Sequence, residues 1–231
     1  MTIANPICLA LDTPDVGRAV ELARMLKPHV GYLKIGMEFF YAHGSAGYVA
    51  VAQEGLPIFL DLKLHDIPNT VAQGLASLMK LAPPPAIVNV HAQGGPDMMK
   101  AARRVVPSTT KLIAVTMLTS LSQADVWALG YDAAPLDKIV EKLARFAREA
   151  GLDGVVCSPT DLTCLRNALP RPFLTVVPGI RPAGSDAQDQ RRIATPKAAV
   201  DAGADILVIG RAITGADDPI QAAQNILMDL Q

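Results

Sequence analysis

Several charged side chains follow one another where an apolar run of the sequence ends. Residues 57–60 form a short apolar segment bounded by turn residues, which is typical of a buried strand. Asp61, Lys63 and His65 come next, and they share one face of the predicted strand because side chains alternate between its faces. Asp66 adds a further carboxylate at the turn. Charged groups are costly to bury unless they pair. The segment is therefore either a salt-bridged strand end in water or a carboxylate–ammonium–carboxylate array that keeps the lysine charged.

A polar loop and a glycine–arginine pair near the carboxyl terminus indicate a phosphate site. Residues 178–190 contain glycine without apolar periodicity, and the segment is long for a connection in an α/β protein, as lids often are. Gly210 permits a close backbone approach, and Arg211 presents a planar fork that suits phosphate oxygens. The alternative is a solvated loop with Arg211 on the surface. Neither a Gly-x-Gly-x-x-Gly motif nor a P-loop is present, so no dinucleotide or nucleoside triphosphate site is indicated.

Eight strand–helix units must position these residues. The predicted strands cover residues 7–11, 32–36, 57–60 with the charged extension, 86–90, 111–118, 154–158, 173–177 and 206–209. Helical patterns follow at residues 13–27, 39–54, 67–81, 94–106, 136–150, 160–169, 195–202 and 219–230. Alternation of strands and helices implies parallel pairing. Eight units in a chain of 231 residues predict an α/β fold of the (β/α)₈ TIM-barrel type, with residues 1–231 as a single domain.

In such a barrel the site lies at the carboxyl ends of the strands. The polar residues predicted there are Asp12, Lys34, Asp61 with Lys63, His91, Thr119 and Arg211. They come from six strands, so that folding would gather residues that are scattered along the chain. The alternative fold is an open, doubly wound sheet, which would favour a glycine-rich loop after the first strand rather than Asp12-Thr13-Pro14. His91 is assigned no role, because a lone histidine at a strand end is more often a hydrogen-bonding residue than a ligand.

Composition narrows the function classes. A net charge of −1 and 4% aromatic residues leave no basic surface for nucleic acid, so no nucleic-acid partner is expected. No apolar run is long enough to span a membrane, and residues 7–11 are too short for the core of a signal peptide. Three cysteines, an odd number without metal-ligand spacing, favour a reducing compartment and a packing role. We therefore expect a cytoplasmic protein without a metal site.

The residue pattern leaves Asp66 open. Asp66 and Thr70 stand four residues apart at a predicted helix start, so both would project from one face. A carboxylate near a helix N-terminus, with Pro68 in the first turn, needs no catalytic explanation. On the residue pattern alone, the structural explanation of Asp66 is the favoured one.

A resemblance to a known family covers nearly the whole chain. The segment DLKLHDIPNT at residues 61–70 closely resembles the signature of orotidine 5′-monophosphate decarboxylases of the bacterial type. The likeness continues at residues 9–12, 33–36, 118–120, 178–181 and 209–211. The bare core Asp-x-Lys-x-x-Asp is less specific, because sister sugar-phosphate enzymes share it. The resemblance implies a cofactor-free carboxy-lyase for the last step of pyrimidine nucleotide synthesis, acting on orotidine 5′-monophosphate as a homodimer.

The resemblance also implies catalytic roles. Lys34, Asp61 and Lys63 match a charge network that Asp66 of the partner subunit completes. This assignment changes Asp66 from an expected helix cap to an expected catalytic residue. We then expect Lys63 to stabilise the carbanion at C6 as CO₂ leaves and to protonate it, since no cofactor motif that could supply an electron sink is present.

Binding roles follow from the same resemblance. Asp12 and Lys34 match ribose-hydroxyl ligands, as does Thr70 across the interface. Thr119 matches the position that contacts the pyrimidine, although the neighbouring Ser120 leaves that register open by one residue. The positions that match phosphate binding and the lid are Arg181, Gln190, Gly210 and Arg211.

Two other functions remain open. The first is a Mg²⁺-dependent enzyme of the sister group, 3-keto-L-gulonate 6-phosphate decarboxylase or hexulose-phosphate synthase, for which oxygen ligands are expected. Lys34 carries the wrong charge for such a metal site. The second is a phosphate-binding barrel without catalytic activity, which the complete set of two lysines and two aspartates disfavours.

Overall fold

The computed structural model describes residues 3–131, 134–182 and 192–230. Its eight strands pair in parallel in chain order, and the last pairs with the first to close a barrel. The strands are β1 (Ile7–Ala10), β2 (Tyr32–Gly36), β3 (Ile58–Leu64), β4 (Ile87–His91), β5 (Lys111–Val115), β6 (Gly154–Val156), β7 (Leu174–Val177) and β8 (Ile206–Ile209). The predicted (β/α)₈ barrel is thereby confirmed, and the alternative of an open, doubly wound sheet is wrong.

Helices alternate with the strands along the chain. They are α1 (Val16–Leu26), α2 (Met37–Ala52), α3 (Pro68–Leu78), α4 (Gly95–Val105), α5 (Gln123–Ala128), α6 (Leu136–Glu149), α7 (Leu162–Ala168), α8 (Pro196–Asp201), α9 (Arg211–Thr214) and α10 (Pro219–Asp229). Short 3₁₀ turns at Ala92–Gly94 and Pro159–Asp161 precede α4 and α7. Within the described residues, no helix combines the length and the apolar character that crossing a bilayer would require.

Side-chain alternation along the strands explains where the polar residues lie. A compact apolar cluster forms from residues of alternating register on the strands, namely Cys8, Ala10, Phe59, Ile87, Ile113, Val176, Ile206 and Val208. A second cluster packs the other strand faces against the helices. With a side-chain period of two, Asp12 continues the face of Ala10. In the same way Asp61 continues the face of Phe59. The inward faces therefore change from apolar to charged at the carboxyl ends of the strands.

The pairing of β3 with β4 is irregular at this point. Leu60 pairs with Val88, and the next pair is Leu64 with Val90. Three residues of β3 (61–63) thus stand opposite a single residue of β4, which is a bulge in a parallel ladder. Lys63 has a φ of 52°, the left-handed region, and among the described residues it is the one non-glycine with a positive φ. The strict alternation predicted for residues 61–65 is therefore broken at Lys63.

Other boundaries differ from prediction for identifiable reasons. Strand β5 was predicted over residues 111–118 but ends at Val115, the residue that pairs with Val156, where β6 also ends. Helix α2 contains a kink at Gly44, where φ is 57° and ψ is −145°. The one-turn helix α9, directly after β8, was not predicted, since four residues are too few for a periodic pattern.

Candidate active site

A cavity of about 330 Å³ opens at the carboxyl ends of the strands. Most of the predicted site residues line it, although they come from six different strands or the loops that follow them. The polar lining consists of Asp12, Lys34, Asp61, Lys63, Thr119, Ser120, Arg181 and Arg211, with Gly179 and Gly210 contributing backbone. The structure therefore brings together residues that are up to 199 positions apart, from Asp12 to Arg211 (211 − 12 = 199).

Lys34 is the buried cation of the site. It lies on β2 with 8% of its surface exposed. Its Nζ is 3.0 Å from Asp12 Oδ1 and 3.5 Å from Asp61 Oδ2. Burial opposes the protonated form, but the carboxylates of Asp61 and Asp12 outweigh that effect and raise the pKa of Lys34 above its ordinary value. Lys34 therefore remains a cation throughout the neutral range.

Asp61 joins both lysines. Its Oδ1 is 2.7 Å from Lys63 Nζ and also accepts a hydrogen bond of 2.7 Å from Asn89 Nδ2. The residue is 7% exposed, and burial alone would raise its pKa. The cations of Lys34 and Lys63 outweigh burial and lower the pKa of Asp61. Of the two interpretations of residues 61–66, the structure favours the charge array for the buried Asp61 and the partly exposed Lys63, while Asp66 of the same chain is exposed and remains untested as the second carboxylate.

Asn89 was not among the predicted site residues. It is fully buried on β4, where its Oδ1 accepts a 2.8 Å hydrogen bond from the backbone N–H of Lys63. The sequence held one signal for it, an amide inside the otherwise apolar strand predicted over residues 86–90. That signal was weak, because the partners of the amide lie 26 and 28 residues away in the chain.

Two histidines stand beside the lysine-bearing bulge. The ring centroids of His65 and His91 are 5.3 Å apart, and His65 is exposed. Burial lowers the pKa of His91, and the nearby His65 and Lys63 lower it further. Nδ1 of His91 is buried without a hydrogen-bond partner in the part of the chain that the structure describes. His91 is therefore favoured as a neutral imidazole.

Asp66 and Thr70 do not line the cavity of their own chain. Both are exposed, and helix α3 begins at Pro68, so that Asp66 precedes the helix rather than standing on it. The Oδ1 of Asp66 accepts a hydrogen bond of 2.7 Å from the N–H of Ile67. The expected shared helical face of Asp66 and Thr70 is therefore replaced by a turn and a helix start, and neither residue lines the cavity of its own chain.

The opposite end of the cavity carries arginines and glycines. Arg181 follows β7, is 9% exposed, and donates from Nη1 to the carbonyl of Ile180 at 2.9 Å. Arg211 begins α9, directly after Gly210. A Cβ at Gly210 would stand 3.4 Å from the Cβ of Ala10, so a side chain there would narrow the cavity. Gln190, the other residue expected at this end, lies outside the described residues.

The loop after β7 is closed at its base by two hydrogen bonds. The N–H of Arg181 donates to the carbonyl of Ala194 at 3.0 Å, and the N–H of Ala194 donates to Gly179 at 3.3 Å. Arg192, which was not predicted as a site residue, pairs with the buried Asp161 at 2.8 Å. Its Nη2 also donates to the carbonyl of Leu118 at 3.2 Å. Arg192 thus ties the base of this loop to the rim segment that carries Thr119 and Ser120.

The arrangement defines what the cavity can do chemically. One end holds two ammonium groups, Lys34 and Lys63, on either side of the Asp61 carboxylate, and it can stabilise negative charge and deliver a proton. The other end offers Arg211, Gly210 and Arg181, which suit a phosphate monoester. Thr119 and Ser120 both line the wall between the two ends, so either hydroxyl can meet a polar ring. Across the described residues, no group of three histidine, cysteine or acidic side chains is placed to hold a metal ion.

Comparisons with known proteins point to one family. The model of the "Orotidine 5'-phosphate decarboxylase / HUMPS family" matches residues 5–226. The chain is 50% identical over 224 residues to orotidine 5′-phosphate decarboxylase of Erythrobacter litoralis, covering 97% of this chain and 98% of that protein. It is 51% identical, at the same coverage, to the enzyme of that name from Novosphingobium aromaticivorans. The crystal structure of orotidine 5′-phosphate decarboxylase from Lactobacillus acidophilus superimposes with a TM-score of 0.83 at 37% identity, covering 98% and 99% of the two chains.

Proposed function

The chain belongs to the orotidine 5′-phosphate decarboxylase / HUMPS family, and we propose on this basis how its residues carry out the family's chemistry. The protein is an orotidine 5′-phosphate decarboxylase, which converts orotidine 5′-monophosphate to UMP and CO₂ in pyrimidine nucleotide synthesis. We take residues 1–231 as one catalytic domain. The observation that carries the mechanism is the ion-paired array of Lys34, Asp61 and Lys63 at the carboxyl end of the barrel, in which Lys34 and Asp61 are buried and Lys63 is partly exposed.

The reaction needs positive charge at one ring carbon. When the bond between C6 and the carboxylate breaks, CO₂ leaves and the electron pair stays on C6 in the plane of the ring, where it is not delocalised. We assign the stabilisation of that pair to the ammonium of Lys63, which is a compact point charge. Because Asp61 Oδ1 lies 2.7 Å from its Nζ, the ammonium is held in place before the charge develops. A proton then passes from Lys63 Nζ to C6, and solvent restores the lost proton.

Lys34 gives the array its second cation. Its Nζ contacts Asp12 and Asp61, so it connects the reacting end of the cavity with the ribose end. We assign Asp12 and Lys34 to the ribose hydroxyls, since a carboxylate and an ammonium together offer an acceptor and donors. Thr119 is assigned to the pyrimidine, with Ser120 as the neighbouring alternative.

The phosphate end supplies binding energy remote from C6. We assign Arg181, Gly210, Arg211 and Gln190 to the phosphate of the substrate. An arginine can bind two phosphate oxygens at once, and a glycine leaves room for them near the backbone. Energy from a part of the substrate that does not react can hold the reacting end in the productive geometry.

We further propose that the enzyme is a homodimer that shares its active sites. Asp66 and Thr70 are exposed on one chain and are not part of its own cavity lining, as residues that serve a neighbouring subunit would be. In this arrangement Asp66 of the partner subunit flanks Lys63 opposite Asp61, and Thr70 of the partner subunit binds the ribose. The three free cysteines suit a cytoplasmic enzyme, because thiols stay reduced in that compartment.

The direct test is an absorbance assay. Purified protein is mixed with orotidine 5′-monophosphate and EDTA, and the loss of the orotate chromophore is followed in the ultraviolet. We expect turnover that EDTA does not affect. Activity that requires Mg²⁺ would favour the sister sugar-phosphate enzymes instead. Tight binding of UMP without turnover would indicate a phosphate-binding barrel that has no catalytic activity.

A further inference from the structure

The irregular pairing of β3 with β4 leaves Lys63 without its ladder partner. Residues 61–63 stand opposite Asn89 alone, because Leu60 pairs with Val88 and Leu64 with Val90. In a regular parallel ladder the backbone of β4 would accept hydrogen bonds from the facing strand. Here the N–H of Lys63 is bonded instead to a side chain, the Oδ1 of Asn89, at 2.8 Å. The amide of Asn89 therefore replaces backbone in the wall of the barrel.

The same amide also fixes the carboxylate of the array. Nδ2 of Asn89 donates to Asp61 Oδ1 at 2.7 Å, and this oxygen is the one that receives Lys63 Nζ. One planar group thus holds the lysine at two points, directly at its backbone and indirectly at its ammonium. Asn89 is fully buried and does not line the cavity, so it does not contact substrate.

We propose that Asn89 is a positioning residue for the decarboxylation, an inference that rests on the proposed function of Lys63. It holds Lys63 in the left-handed backbone conformation and fixes the rotamer of Asp61, so that the ammonium points at the reacting carbon. A non-glycine residue with a φ of 52° persists only where its surroundings hold it there. The two hydrogen bonds from Asn89 supply that restraint at the bulge.

An amide is the group that meets both requirements at this position. The site needs an acceptor toward the Lys63 N–H and a donor toward the Asp61 carboxylate, and an asparagine side chain presents both at the same reach. An ionised aspartate of the same shape would place a second carboxylate against Asp61. Alanine would remove the acceptor of the Lys63 N–H and one of the two donors to Asp61 Oδ1 in a buried setting, where lost partners are costly.

The test compares Asn89→Asp and Asn89→Ala with Thr110→Val in the full-length enzyme. Thr110 is a matched control, because it is equally buried and donates one hydrogen bond to Pro85 at the amino end of the barrel.

A displacement of about 1 Å in a reacting group can cost about 10²-fold in rate. We expect both Asn89 variants to lose about 10²-fold in kcat. Their KM for orotidine 5′-monophosphate and their Kd for UMP should change by less than about threefold, since phosphate and ribose contacts remain. Thr110→Val should keep its kcat.

Several outcomes separate this inference from the proposed function. If the wild-type enzyme does not decarboxylate orotidine 5′-monophosphate, the proposed function fails, whatever the variants do. If the wild type is active and Asn89→Asp and Asn89→Ala keep its kcat, the positioning role is wrong. A rise in KM and UMP Kd that matches the fall in kcat would also overturn it, because a general loss of structure would then be the cause. A crystal structure of Asn89→Asp with UMP should show Lys63 Nζ moved away from Asp61 Oδ1; an unmoved nitrogen would contradict the inference.

Discussion

At the residue scale, the proposed chemistry depends on two lysines held around one carboxylate. Asp61 lies within 3.5 Å of Lys34 Nζ and within 2.7 Å of Lys63 Nζ, and both Asp61 and Lys34 are nearly buried. A buried charge that loses its partner is strongly destabilising, whereas a satisfied array can be kept for function. Replacing any of these three residues is therefore expected to lower the stability of the fold as well as the reaction rate.

Lys63→Ala should remove both the cation and the proton that C6 receives. We expect kcat to fall by at least about 10³-fold, because charge stabilisation and proton transfer each contribute about 10²-fold or more. UMP should still bind, since its phosphate and ribose contacts do not involve this side chain. The measurements are steady-state absorbance kinetics and UMP calorimetry, with the exposed Lys80→Ala as control. Turnover close to that of the wild type would rule out the proton-donor role.

The pH dependence of stability should report the ionised state of Asp61. Its pKa in the folded protein lies below the ordinary value of 3.8, so its contribution to stability is complete above that pH and is lost as the pH falls through the lowered pKa. Asp61→Asn should cost about 3 kcal/mol in the free energy of unfolding at neutral pH. Lys34 has a raised pKa, so it adds no loss below its ordinary value of 10.5.

Urea unfolding of the wild type and of Asp61→Asn across a pH series measures whether the contribution of Asp61 to stability falls or rises on acidification. The difference between the free energies of unfolding of the wild type and of Asp61→Asn should stay constant from about pH 5 to pH 8 and shrink below about pH 4. A difference that widens on acidification would mean that the pKa of Asp61 is raised rather than lowered in the folded enzyme.

At the scale of elements, chemistry and stability occupy opposite ends of the barrel strands. Asp205 directly precedes β8 and accepts hydrogen bonds from the N–H of Thr175 at 2.8 Å and from Arg171 at 2.8 Å, and it also pairs with Arg166. Asp153 directly precedes β6 and binds Arg103 and Lys111 in a similar way. Such clusters at the amino ends of strands join helices and strands away from the site.

Asp205→Ala should therefore destabilise the fold without changing the chemistry. Breaking this largely buried cluster should lower the free energy of unfolding by about 3 kcal/mol, with kcat unchanged below the melting transition. The exposed pair of Lys197 and Asp201, 4.0 Å apart, supplies the control, and Asp201→Ala should cost less than about 0.5 kcal/mol. Thermal denaturation and kinetics of both variants decide the point. A fall in kcat of Asp205→Ala at low temperature would show that the amino end influences the site.

The strands and helices also show how much of the structure can be predicted from the sequence. The strand period of two placed Asp61 on the same face as Phe59, and the alternation of strands and helices predicted the barrel, since both patterns are local. The bulge at residues 61–63 was not predictable, because the group that stabilises it, Asn89, lies 26 residues away from Lys63 and is recognisable only when the strands are paired. The contact of Arg192 with Leu118 spans 74 residues and was missed for the same reason.

At the scale of the whole molecule, the proposed sharing of sites can be tested by mixing inactive variants. If Asp66 serves the neighbouring subunit, Lys63→Ala and Asp66→Ala homodimers are both inactive. A hybrid dimer of the two has one site with both changes and one with neither. After random exchange of subunits, about half of the dimers are hybrids, so activity should return to about a quarter of the wild-type value.

Co-refolded mixtures, compared with each variant refolded alone, provide this measurement. The matched control replaces Asp66→Ala by Asp61→Ala, because both changes then fall in residues that serve their own chain's site and no hybrid has an intact site. No recovery in the test mixture would place Asp66 in its own subunit's site, and an active Asp66→Ala homodimer would place it outside the chemistry. Recovery in the control would mean that something other than shared sites restores activity.

The bulge in β3 has one more consequence, which concerns how many residues this strand can contain. Residues 61–63 of β3 face the single residue Asn89 of β4. Because the Asn89 side chain, rather than the β4 backbone, bonds to the Lys63 N–H, β3 holds two more residues here than a regular ladder would allow. A strained backbone at a functional site lowers the stability of the fold and is retained where activity depends on it. Deleting two of these three residues would restore one-to-one pairing with β4, but it would also remove Asp61, Lys63 or both. The ion-paired array and a regular ladder therefore exclude one another at this point of the wall.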